Sequence, residues 1–148
     1  MIETLSITFS LFWAAFLAAT ILPFSSEAAL SGALLSDVPH WLLLLAAGTG
    51  NSLGSLTTFL LGHFGKISLL VNYCHLDPEK AEKWRQKLTA HGGCGAFLCF
   101  LPFIGDLFAI VLGLIRYPVR KFIVLMTIGK FLRYFLWYLL HITIAGTI

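Results

Sequence analysis

Lys130 and Arg133 stand three residues apart in MTIGKFLRYFLWYLL, a run with no other charged residue. That spacing places both on one face of a helix. Lys130 lies nine residues beyond Lys121, hence about 13 Å deeper along a helix, near the middle of a hydrocarbon core about 30 Å thick. A charge at that depth costs about 2.5–3.5 kcal/mol even on lenient insertion scales, so both side chains must face a polar interior. Two acids are available to meet them: Glu27 in LPFSSE and Asp106 in LPFIGD, each four residues after a proline in the repeated pattern LPF-x-x-acid. Two bases and two acids make a neutral buried cluster. The bases are suited to holding an anionic group by charge-assisted hydrogen bonds, and the acids to exchanging a proton. Glu27, between two serines and the apolar AAL, is the expected proton carrier. Asp106 follows Gly105, whose bare backbone admits a cation closely, and is the expected lasting anion. The competing reading is a set of static ion pairs that fix the fold.

The elements that position these groups follow from composition. Of 148 residues, 58% are hydrophobic and 11% charged, a balance that identifies an integral membrane protein. Apolar runs cover 5–22, 28–35, 41–65, 95–115 and 122–148. The third and fifth are long enough to span, and the second is too short. The leading charge is Glu3, so the first run lacks the basic start of a signal peptide and is kept in the mature chain.

Loop cations choose between topologies. Four plain crossings put Lys66, Lys80, Lys83, Arg85 and Lys87 on one side and Arg116, Arg120 and Lys121 on the other, against the positive-inside rule. If 5–36 and 93–115 are instead re-entrant helical hairpins entering from opposite faces, all eight cations share the cytoplasmic side. Asp37, His40 and both termini then lie opposite, in the periplasm. The expected fold is therefore all-α, one membrane domain over 1–148. It is an inverted-topology repeat of hairpin plus transmembrane helix, 5–65 and 93–148, separated by a linker over 66–92. Such repeats place binding sites near mid-membrane, where broken helices meet. Pro23 and Pro102, with Gly105, mark the hairpin tips.

The linker DPEKAEKWRQKLTAHGG begins with a good cap, Asp77-Pro78, and ends at Gly92-Gly93. It reads as an amphipathic interfacial helix whose Lys80, Lys83, Arg85 and Lys87 would meet anionic lipid. In the first spanning segment Gly50, Gly54, Thr58 and Gly62 form a row of small residues suited to close helix packing. Asn51 and Ser52, near mid-span, either tie helices together or line a polar path. Membrane lipids are the expected partners, a second copy of the chain is a further candidate, and nucleic acid is not expected. Cys74, Cys94 and Cys99 form no C-x-x-C, and the histidines lack metal-ligand spacing. No nucleophile with a base and no phosphate loop is visible, so neither an enzyme nor a cofactor is expected.

Several motifs carry a resemblance. LPFSSE is similar to L-P-x-x-S-E, GNSLGSLT to G-N-S-L-G, PFIGD to P-x-x-G-D and GKFLRY to G-K-x-L-R-Y. In order and spacing the chain resembles the DedA, or VTT-domain, membrane proteins, and particularly their short YqaA-like branch. The resemblance implies two re-entrant hairpins, a bacterial inner-membrane location and a link to lipid-carrier translocation, often coupled to protons. Longer members carry a further acid before P-x-P-G-E and two arginines in F-x-R-x-x-P-G-x-R. Here no acid lies between Thr4 and Pro23, and Cys99 and Gly105 occupy the arginine positions. A phosphate-binding role therefore does not carry over to them, and Lys130 or Arg133 is left to supply the charge. The expected function is a transporter or scramblase of an anionic lipid or polyprenyl-phosphate-type amphiphile. The alternatives are a proton- or ion-coupled exporter of small solutes and a structural membrane protein without transport.

Overall fold

A computed structural model describes residues 1–20, 25–65 and 104–145, with Glu79, Lys83, Gln86, Lys87 and Ala90 between them. The described residues are helical: α1 Ile2–Ala18, α2 Ser26–Leu34, α3 His40–Phe64, α4 Ile104–Leu114 and α5 Val119–Ala145. The expected tips Pro23 and Pro102 lie outside the described residues, as do Cys99 and most of the interfacial segment. Of that segment, the five described positions are helical and exposed.

Side-chain contacts fix the helix directions. Asn51 of α3 is level with Ala15 of α1, and Thr58 with Ala19, so α1 and α3 run the same way. Asn51 meets Lys130 while Phe59 stacks on Phe122, so α5 runs against α3. On α2, Ser26 meets Arg133 and Ser31 meets Trp137, which sets α2 along α5 and back against α1. Ser55 meets Asp106, and Gly62 lies against Ile110, so α4 follows α3. The start of α1, the end of α2, the start of α3 and the end of α5 therefore share one end of the bundle.

Glycine permits the closest of these approaches. A methyl group built on Gly50 or Gly54 would collide with the Phe12 or Phe16 carbonyl of α1, and one on Gly62 with the Ile110 carbonyl of α4. From α4, Gly113 approaches the Phe59 carbonyl in the same manner. The small-residue row thus receives α1 on its first half and α4 on its second. It also makes α3 less apolar than its 25 residues suggest. Among the described helices only α5, over Val119–Ile144, is both long and apolar enough to cross a membrane.

Two apolar cores form at opposite ends. One joins Leu11, Ala15, Leu30, Leu43, Ala47 and Tyr134, and the other Phe59, Ala109, Leu112, Phe122 and Met126. The outward faces are apolar too: Leu5, Phe9 and Trp13 on α1, Leu53 and Leu61 on α3, and Ile128, Leu132, Phe135 and Leu139 on α5 are exposed. An outside this greasy around a buried lysine suits a hydrocarbon solvent, whereas in water it would be an aggregation surface.

A Schellman turn links α4 to α5. The Tyr117 N–H donates to Leu112 O at 3.0 Å and the Arg116 N–H to Gly113 O at 2.8 Å, with Arg116 at φ 56° in the place glycine usually takes.

Candidate functional site: two ion pairs between two cores

Between the cores lies a polar layer. Lys130, the twelfth residue of α5, has no exposed surface. Its Nζ donates to Asp106 Oδ1 at 3.1 Å and to Asn51 Oδ1. The Ser55 hydroxyl donates to the same Asp106 oxygen. Asn51, 2% exposed, turns its Nδ2 to Ala15 O at 3.1 Å. One helical turn further along α5, Arg133 Nε stands 3.3 Å from Glu27 Oε1, and its Nη2 donates to Ser26 Oγ at 3.1 Å and to the Tyr134 hydroxyl at 3.4 Å. Glu27 Oε2 accepts from the Ser25 and Ser26 hydroxyls, both at 3.3 Å.

Local sequence explains why the acids sit here. Ser25 caps α2, accepting from the Ala28 N–H at 3.2 Å, which leaves Glu27 in the first turn. Asp106 is in the first turn of α4, after the buried Gly105. A helix N-terminus favours negative charge, and each base on α5 meets such a turn. The end of α1 is secured from α3: Thr58 Oγ1 donates to Ala19 O at 3.0 Å, supplying one of the carbonyls a helix end leaves open.

Glu27, Asp106, Lys130 and Arg133 thus come together as two pairs rather than one four-way cluster, with Asn51 joined to one pair and Gly50 and Gly54 packing α1 beside it. The sequence reading did not single out Ser26, Ser55 or Tyr134 as site residues. Ser55 is one helical turn from Asn51, a spacing that would have flagged it, and Ser26 and Tyr134 are direct neighbours of Glu27 and Arg133. A groove of about 310 Å³ separates α1 from α2, kept open by small residues, Ser6, Ser10 and Ala14 facing Ala29 and Ala33.

The family model described as the VTT domain matches residues 22–142. The chain is 38% identical over 139 residues to inner membrane protein YqaA of Escherichia coli (strain K12), covering 90% of this chain and 89% of the relative. The inner membrane protein YqaA of Shigella flexneri matches with the same identity and coverage. An uncharacterized protein of Haemophilus influenzae is 34% identical over 133 residues, covering 84% of this chain and 80% of that protein. No solved structure matches the chain.

Proposed function

The chain belongs to the VTT-domain (DedA) family, and from that membership we propose that it resides in the bacterial inner membrane and moves an anionic amphiphile, of phospholipid or polyprenyl-phosphate type, between hairpins that meet at mid-membrane. The observation that carries the reading is the meeting of two bases at the middle of α5 with acids in the first turns of two short helices. Intramembrane ionisable groups mark ion, proton or substrate pathways. Helix N-termini suit phosphate, and here the carboxylates hold the positions a phosphate would favour.

Both bases are engaged by carboxylates, so an anionic headgroup at Arg133 competes with Glu27 for the guanidinium. Protonating Glu27 removes its claim on the guanidinium and opens Arg133 and Ser26 to the headgroup. Anion binding and proton binding are thereby linked at one site. Glu27 suits this exchange better than Asp106. Its three contacts are each 3.3 Å, while Asp106 is clamped by Lys130 and Ser55. The apolar tail would lie in the groove between α1 and α2, whose wall begins at Ala29, two residues past Glu27.

The re-entrant reading of 5–36 is supported by α1 starting and α2 ending beside the start of α3. Reconstitution into liposomes tests the function: fluorescent phosphate-headgroup lipids should move between leaflets without solute flux. Solute flux alone would assign the site to small-solute export, and neither would leave a structural role.

A further inference from the structure

The Asn51 carboxamide is engaged at both ends, and its two neighbours differ in kind. Its Nδ2 donates to the Ala15 carbonyl at 3.1 Å, and its Oδ1 accepts from Lys130, which in turn donates to Asp106 at 3.1 Å. An ammonium only donates and a carbonyl only accepts, so this arrangement calls for one group that accepts on one side and donates on the other. Aspartate would satisfy Lys130 but repel the Ala15 carbonyl. Leucine would satisfy neither. The Ala15 carbonyl belongs to the last turn of α1, where it also accepts from the Ala19 N–H at 3.3 Å. A single buried side chain therefore connects the end of α1 to the charge pair at the start of α4.

We propose that Asn51 is a positioning residue through which the Asp106–Lys130 ion pair holds the end of α1 in place. With Asp106 anionic, Lys130 is held between carboxylate and carboxamide, and Asn51 is left to hold Ala15. When Asp106 is replaced by a neutral residue, the buried ammonium keeps its desolvation cost and loses the Asp106 counter-charge. It then shifts toward the remaining acceptors, Asn51 and the carbonyls closing α1, and loosens the Asn51–Ala15 bond. The link runs through four helices by direct contacts, and it holds whatever species is transported.

Hydrogen–deuterium exchange of the full chain in lipid nanodiscs, read on peptides covering 12–20, tests this without a transport assay. Asp106→Asn should raise exchange at 12–20 several-fold. Asn51→Asp, which keeps an acceptor for Lys130 and removes the donor to Ala15, should raise it as well, and adding Asp106→Asn to that variant should produce no further rise. If Asp106→Asn does not fold, Asp106→Ser, which also keeps the Lys130 ammonium and removes its counter-charge, takes its place in the same comparison. Unchanged exchange at 12–20 in the Asp106 variant overturns the proposal. So does an equal rise whether or not Asn51 is present, because purely structural roles would add.

Discussion

Lys130 and Asp106 face each other across the α4–α5 contact, 3.1 Å from ammonium to carboxylate, with the lysine wholly buried and the acid side chain 23% exposed. The pair joins the middle of the longest helix to the first turn of one of the shortest. It separates two apolar cores that would otherwise merge along α3. Removing one partner leaves a lone charge in that layer, which typically costs about 3–5 kcal/mol.

A double-mutant cycle on Asp106→Asn and Lys130→Gln should therefore be strongly non-additive. Each single variant should lose stability, and the double should lose less than the sum by more than about 1 kcal/mol. Thermal or denaturant melting in detergent measures it, and additive losses would mean that the two side chains do not meet in the folded protein.

The burial of Lys130 was legible because a charge in the middle of so long an apolar run must turn to the protein interior. The segments were legible as well, since apolar runs at 5–22, 28–35, 41–65 and 122–148 became α1, α2, α3 and α5 with ends shifted by a few residues. Which acid meets which base was not legible. That choice depends on how far α2 and α4 are offset along α5, and for α4 the offset is set through glycine contacts with α3, a helix distant in sequence. The two-sided use of Asn51 was hidden for the same reason: its partners, Ala15 and Lys130, are 36 and 79 positions away.

Glycine substitutions should separate packing from mere presence of a small residue. Gly50→Leu and Gly54→Leu drive a side chain into the carbonyls of α1 and should lower the melting temperature markedly, by an overpacking cost of about 1–3 kcal/mol or more. Gly32→Ala meets nothing within 4 Å and should be neutral or slightly stabilising, by up to about 1 kcal/mol through helix propensity.

Arg116 holds a left-handed backbone at the α4–α5 turn although it carries a side chain. Arg116→Gly should stabilise the fold by about 1 kcal/mol, because the left-handed conformation penalises a Cβ. The same change removes one of the loop cations that set orientation, so a melting curve should improve while the fraction inserted in the correct orientation falls.

Cysteine labelling in a background lacking the native cysteines should place Lys66→Cys and Arg116→Cys on the cytoplasmic face and Asp37→Cys on the periplasmic one. Because α3 and α4 end together while α2 ends beside the start of α3, positions 66 and 116 should label alike and position 37 from the other face. Labelling of positions 66 and 116 from opposite faces would sink the hairpin topology.

The most direct measurement of the central claim is proton-driven movement of a phosphate-headgroup amphiphile in proteoliposomes, comparing the wild-type protein with Glu27→Gln across an imposed pH gradient. The exchange of Glu27 for a headgroup at Arg133 predicts that the wild type responds to the gradient and that Glu27→Gln, though folded and inserted, does not. Equal gradient-driven movement by both proteins would contradict it and leave Glu27 a structural partner of Arg133.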